Sequence, residues 1–354
     1  MPEGTDYLVA DTATRILADL ADPQTVNGAK DESWKRELWR ALDGAGLSLA
    51  WVPEALGGAG ASAMEGFAVI GAAGRFALAV PLAETLAAGW LLARASLEAS
   101  QKPMTVAPVR PHDRIDADAA GRLSGRARNV PFAREVGHIA VIAVGVKAPV
   151  IALVDVKDCR VSDSRSLSPD GAADVVLDGV RPLRSALAPA GMTAPSLLLL
   201  GAVIRSVQTA GALETVLALS VDYANARVAF ERPIGKFQAI QQNLARLAGE
   251  VAAALAVAGS AADTIAADAF GDAAFFEAAS AKIRTAEAAT EAAAIAHQVF
   301  GAIGFTNEHV LHRFTLRMLA WRDDFGSESH WAAELGRYVA GRGADQFWPL
   351  VAAR

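Results

Sequence analysis

YANARVAFERPIGKFQAIQQNLARLAGE, residues Tyr223 to Glu250, decides the architecture of this chain. Tyr223 to Phe230 reads as the end of one helix. The next residues, ERPIGKFQ, carry Pro233 and Gly235, which a helix interior does not tolerate, and a second helical pattern follows at once. Two long helices therefore meet at a sharp break. Arg227, Arg232 and Lys236 cluster there, and the free backbone N–H groups at the new helix start add positive potential. Such a corner can hold a pyrophosphate. It can equally be a tight hairpin of helices with solvated charges, and spacing alone leaves both readings open.

Downstream, the alanine-rich tracts EVAAALAVAGSAADTIAADAF and EAASAKIRTAEAATEAAAIAHQVF keep a helical period and suit a four-helix bundle, in which small residues let helices pack closely. Upstream the period changes. HIAVIAV (His138–Val144) and VIALVDV (Val150–Val156) are short β-branched runs joined by GVKAP, a hairpin-like loop. ADVVLDGVRPL and GRLSGRARNV add further strands. The first part of the chain is helical again: YLVADTATRILADL, WKRELWRALDGAGL, and two helices broken around Pro81. The expected fold is mainly α with a small β domain (α+β). An N-terminal helical domain covers residues 1–103, a middle antiparallel β domain 104–184, and a C-terminal four-helix bundle 185–354.

Composition narrows the function. Of 354 residues, 53% are hydrophobic and 20% charged, which points to much buried surface or a large subunit interface. The net charge of -6 supplies no basic field for nucleic acid. The N-terminus MPEGTDYLVADTATRILADL has acids where a signal peptide needs basic and apolar regions, and the apolar run LLLLGAVI (Leu197–Ile204) is too short to cross a bilayer. No membrane role is expected. The single cysteine, Cys159, excludes a disulfide within the chain and fits a cytoplasmic location. GGAGASA places Gly58, Gly60 and Ala63 in dinucleotide-fingerprint spacing, but Pro53 and Glu54 interrupt any strand leading into it, so it reads as a connector between helices. EHVLH sets His309 and His312 three apart on a helix; no third ligand lies nearby in sequence, so no metal site is assigned.

Four segments, in order, resemble the acyl-CoA dehydrogenase family. The Tyr223–Gln238 stretch is similar to the family signature Tyr, Arg, Phe-Gly-x-Pro-Ile-Gly-x-Phe-Gln. WVPEALGGAGAS resembles its Val-Pro-Glu-x-x-Gly-Gly-x-Gly loop, ADVVLDGVRPL the strand leaving its β domain, and HQVFGAIGFTNEHVLHRFTLRM its C-terminal flavin motif. The resemblance spans nearly the whole chain. It implies a flavoprotein built on FAD that dehydrogenates an acyl-CoA at Cα and Cβ, with a carboxylate as base and an electron-transfer acceptor to reoxidise the flavin. It implies that Arg227 sits on the FAD pyrophosphate of a neighbouring subunit, that Phe230 and Gln238 line the same region, and that Gln298 and Gly301 approach the adenosine half. Arginine suits a phosphate pair because its donor fork is planar and always charged.

The sequence departs from the family where the reaction occurs. Counted from Gly304–Phe305, the family's catalytic Glu falls on Phe325 and the following Gly on Gly326 of WRDDFGSESHW. The base position of a second branch falls near Gly201 and Ala202. Asp324 is the remaining candidate base, weighed against a solvated acid in a helix-ending turn that Arg322 could pair. The family's Thr-Glu-Pro…Gly-Ser-Asp segment is absent from MTVAPVRPHDRIDADAAG; Ser327 could still offer one hydroxyl to flavin.

Three readings follow. The first is a subunit of a heteromeric, α2β2 acyl-CoA dehydrogenase of the kind that acts on steroid side-chain CoA thioesters, lending an FAD half-site to a related catalytic chain. The second is a homomeric flavoenzyme using Asp324 on a different substrate. The third is a non-enzymatic scaffold.

Overall fold

The computed structural model describes residues 6–267 and 270–352. The start of the N-terminal stretch and the pair Asp268–Ala269 inside the first alanine-rich tract lie outside the described residues. The chain opens with α1 (Asp6–Leu20), α2 (Pro23–Asn27) and α3 (Trp34–Gly44). Ala13, Leu17 and Ala21 recur at helical spacing and are buried, as are Leu38 and Leu42 on α3. Next come α4 (Ala63–Arg75) and α5 (Leu82–Arg94), separated at Pro81 as its fixed φ and missing N–H require. The glycine-rich GGAGASA leads into α4: Ser62 caps its N-terminus in a box with Glu65, so this segment is a helix connector.

The middle of the chain forms two four-stranded sheets. Its strands are β1 (Met104–Ala107), β2 (Arg114–Ala117), β3 (Leu123–Pro131), β4 (His138–Ala143), β5 (Val150–Asp155), β6 (Arg160–Asp163), β7 (Ala172–Val180) and β8 (Arg184–Leu187). One sheet runs β1-β4-β5-β8 and the other β2-β3-β7-β6. The β4–β5 hairpin pairs His138 with Asp155 and Ala143 with Val150, the partners that the GVKAP loop dictates. All pairs within these two sheets are antiparallel except β1–β4, which is parallel. Two more strands and their loops separate β1 from β4 in sequence, so no hairpin constrains their direction.

The C-terminal part is built on α6 (Ala194–Ala226), which holds the run LLLLGAVI and is core along most of its length. Its backbone touches that of α4: a Cβ on Gly74 would stand 2.1 Å from the carbonyl oxygen of Gln208. Beyond β9 (Val228–Ala229) and β10 (Arg232–Pro233) follow α7 (Gln238–Ala266), α8 (Asp272–Phe300), α9 (Leu311–Trp321), α10 (Glu328–Arg342) and α11 (Ala344–Ala352). Alanines at 254, 258, 288, 292 and 296 close the seams among α6, α7 and α8, where small side chains allow near approach. The first helix of the hairpin ends at Ala226, not at Phe230 as its pattern predicted. His309 precedes α9 rather than lying on it; its Nδ1 accepts from the backbone N–H of Leu311 at 3.1 Å and its ring packs on Phe300.

Candidate functional site

The residues that the sequence singled out fall into two places. The first is one end of the bundle. Arg227 caps α6, and β9 and β10 fold back as a two-residue hairpin whose turn is Phe230 and Glu231, at φ of 50° and 64°. Two successive positive φ values make the mirror-image turn that matches strand twist, here without glycine. Arg232 lies over the Phe237 ring, 4.2 Å from its centre, and Phe237 starts α7. The end of α8 joins this corner: Tyr223 stacks on Phe300 at 4.3 Å and donates to its carbonyl at 3.3 Å. Gly301 ends α8 at φ of 62°, a conformation that suits glycine. The structure thus brings together Arg227, Phe230, Gln238, Gln298 and Gly301. All face outward. Phe230 is 89% exposed and Phe305, on the same turn as Gly301, 72%. Among the described residues the Arg227 side chain has no hydrogen-bond or ion-pair partner.

The second place lies between α6 and the α9–α10 turn. Phe325 sits there at φ of 54° and is buried. Its ring fills the hollow over Gly201, where an added Cβ would come within 2.0 Å of Phe325 Cδ1. Trp331 Nε1 donates to the Phe325 carbonyl at 3.0 Å and locks the turn. One helical turn beyond Gly201, the buried Arg205 joins two carboxylates: Nη2 is 2.6 Å from Glu84 Oε1, and Nε donates to Asp324 Oδ2 at 3.0 Å. Its Nη1 donates to Gln208 at 2.6 Å. Burial raises the Glu84 carboxyl, while the two carboxylates outweigh burial at Arg205 and keep it charged. Lys282 lies fully buried beside this group and donates to the Trp321 carbonyl. Burial pushes its ammonium down to about 7.

Asp324 is therefore not a solvated acid in a helix-ending turn. It points inward to Arg205, and Arg322 approaches Asp323 instead. Glu84, Arg205 and Lys282 escaped the sequence reading. Glu84 and Arg205 are lone charges in apolar helical stretches, and that isolation was the available signal; Lys282, two residues from Arg284, gave none.

Ser327 lies on the same α9–α10 turn but outside the buried group of Phe325, Arg205 and Glu84. It caps α10, accepting from the His330 N–H at 3.3 Å, and lines a cleft of about 590 Å³ between the bundle and the β sheets. Arg110, His112, Arg128, Asn129, Ser164, Arg165 and His330 line the same cleft. Arg110 ties the two sides, donating to the Asp323 carbonyl at 2.9 Å, and Arg317 on α9 does so nearby, donating to Asp170 at 2.8 Å.

Residues 5–104 match the family model of the acyl-CoA dehydrogenase N-terminal domain, and residues 194–328 that of the C-terminal domain. The chain belongs to the acyl-CoA dehydrogenase family. Acyl-CoA dehydrogenase IpdE2 of Mycobacterium tuberculosis (strain ATCC 25618 / H37Rv) is 28% identical over 323 residues, covering 89% of this chain and 91% of that protein. A chain of the ChsE4-ChsE5 complex from Mycobacterium tuberculosis superposes with a TM-score of 0.84 at 27% identity, over 97% of this chain and 100% of that one. A chain of the Tcur3481-Tcur3483 steroid ACAD (G363A variant) does so at 0.82 and 27%, over 95% and 98%.

FAD is the cofactor of the acyl-CoA dehydrogenases, and the outward corner and the Ser327 cleft fit it unequally. The outward corner offers an unpaired guanidinium, two exposed carboxamides and two exposed aromatic rings, a donor set suited to a pyrophosphate and a nucleoside. The cleft at Ser327 presents three arginines and two histidines, a poor lining for an uncharged flavin ring.

Proposed function

We propose that this chain is the half-site subunit of a heteromeric, FAD-dependent acyl-CoA dehydrogenase that desaturates a steroid side-chain CoA thioester. The observation that carries this reading is Phe325 packed on Gly201. The two positions where the family keeps its base are here apolar and in contact, so this corner cannot take a proton from Cα. Arg227, Phe230, Gln238, Gln298 and Gly301 meanwhile face away from the chain and suit the FAD of a neighbour. When bound, FAD accepts the hydride from Cβ. This chain's residues hold its phosphates and adenosine, and the partner supplies the base and the ring-binding segment. The two similar complexes named above, each of two differently named chains, support a partner. So does the open side of α7, which is only 28% buried over its most apolar stretch. Ala245, Ala248, Ala252 and Leu255 form an exposed stripe there at helical spacing. An electron-transfer acceptor and a cytoplasmic location complete the reading. Cys159 fits the latter: burial pushes its thiol up to about 11, leaving it protonated and unreactive.

The test uses the assembly of this chain with a related chain that keeps the family Glu. Replacing that Glu by Gln abolishes turnover, whereas Asp324→Asn in this chain leaves turnover per bound FAD unchanged. Loss of turnover in a normally folded Asp324→Asn assembly overturns the proposal.

A further inference from the structure

The Ser327 cleft takes Arg110 and His112 from beyond the end of β1. A different group meets at the start of that strand, where Met104 lies beside His138 of β4. The antiparallel register of β4 and β5 sets His138 opposite Asp155. His138 Nε2 stands 3.9 Å from Asp155 Oδ2, while Asp155 Oδ1 accepts from the Lys157 N–H at 2.9 Å. Ser100 completes the row from the loop that enters β1: its Oγ lies 2.6 Å from His138 Nδ1. The same loop is fixed to its neighbours. Thr85 of α5 donates to the Met104 carbonyl at 3.1 Å and accepts from its N–H at 3.0 Å, and the Gly137 N–H donates to the Pro103 carbonyl at 3.0 Å. Rigid elements thus hold the serine on the imidazole. Ser100 Oγ also accepts from the Lys102 N–H at 2.9 Å. The carboxylate on the Nε2 side favours the ring hydrogen there, which leaves Nδ1 to accept the hydroxyl hydrogen. At 3.9 Å Asp155 acts on the ring through its charge rather than through a direct hydrogen bond. Burial, Lys102 and Arg184 together hold His138 below the ordinary histidine value against the pull of Asp155. The ring is neutral at pH 7 and able to take a proton.

Ser100 and His138 keep 8% and 9% of their surface exposed, and both line a cleft of about 550 Å³, large enough for a small organic substrate. Leu56, Leu153 and Leu183 give it an apolar wall. Gln101 lines it too, and its backbone N–H, next in the chain after the serine, has no hydrogen-bond partner among the described residues. An N–H in that position can stabilise an oxyanion. From this geometry we infer that the cleft is a reaction site separate from the FAD corner, a serine hydrolase centre for a small carboxylic ester with an apolar acyl group. Ser100 Oγ attacks the carbonyl carbon and passes its proton to His138 Nδ1. The bond from that carbon to the ester oxygen breaks, and the alcohol leaves with the proton from His138. Water then attacks the acyl-serine, giving a proton to His138, and the carboxylic acid departs as the serine regains its hydrogen. Asp155 stabilises the imidazolium that forms in each half.

The full chain is treated with a fluorophosphonate, a reagent for activated serines, and the modified peptide is located by mass spectrometry. The label falls on Ser100, a result that needs no variant. Hydrolysis of p-nitrophenyl acetate supplies the rate. Ser100→Ala abolishes both signals, and a melting curve like that of the wild type shows that it folds. His138→Gln slows labelling and hydrolysis by about a hundredfold or more, the low end of what a general base supplies. Asp155→Asn slows them by about tenfold, the effect of one unit in the imidazole pKa. Hydrolysis holds level at pH 7 and falls as the pH drops through the lowered value of His138. Three results overturn the inference: no label at millimolar reagent, a label on another residue alone, or wild-type hydrolysis by folded Ser100→Ala. Neither assay involves flavin or a partner chain, so failure here leaves the half-site reading untouched.

Discussion

Phe325 and Gly201 form one packing unit. An alanine at 201 places its Cβ within 2.0 Å of the Phe325 ring, so Gly201→Ala costs about 1–3 kcal/mol by overpacking. Phe325→Ala leaves a cavity and costs about 3–5 kcal/mol. The double variant is more stable than the sum of the two costs predicts, because the methyl enters the space the ring vacates. Urea melts of the four proteins check this, and additive costs would show that the two residues do not share the hollow. Lys282 allows a pH test. Its folded value of about 7 lies below its ordinary 10.5, so between these values the unfolded chain binds the extra proton. Stability therefore rises with pH across that window, at up to about 1.4 kcal/mol per pH unit. Lys282→Met, measured by denaturant melts between about pH 7.5 and 9.5, removes that rise. An equal pH dependence in both proteins would mean that Lys282 is not the group responsible. At this scale the sequence revealed Phe325 at the base position, because a count along a helix and turn is local. It could not show that Phe325 and Gly201 touch, nor that Asp324 pairs with Arg205, a contact between residues 119 apart.

Among the elements, the α6–α7 hairpin was the most legible, since Pro233 and Gly235 break a helix wherever they fall. The helix ends earlier than its pattern because the chain turns through β9 and β10, with Phe230 and Glu231 at positive φ, residue types that give no turn signal. The parallel β1–β4 pair was hidden for another reason. Period and turn residues report on hairpins, and a parallel pair has none. The open face of α7 is the element with the clearest consequence. Ala252→Glu places a charge on the exposed stripe without touching the buried one at Val251, Ala254 and Ala258. The isolated variant should melt within about 0.5 kcal/mol of the parent. In size-exclusion chromatography it should fail to enter the mixed assembly, since an unpaired charge at an apolar interface is strongly unfavourable. Normal assembly of the variant would place the partner on another face.

For the molecule as a whole, the order of helices, strands and helices was readable from period alone, and four ordered motifs supplied the family. What period could not supply is direction. The structure turns one FAD-type donor set outward, on Arg227 and Gln298, and closes the inward corner with Phe325. On the function proposed above, a chain built this way completes a neighbour's site and has none of its own for the same reaction. The flavin content of the purified chain, alone and after co-expression with a related chain that carries the family Glu, tests this most directly. The account predicts a colourless lone chain and a yellow mixed assembly with about one FAD per pair of unlike chains. Full FAD occupancy in the lone chain would contradict it.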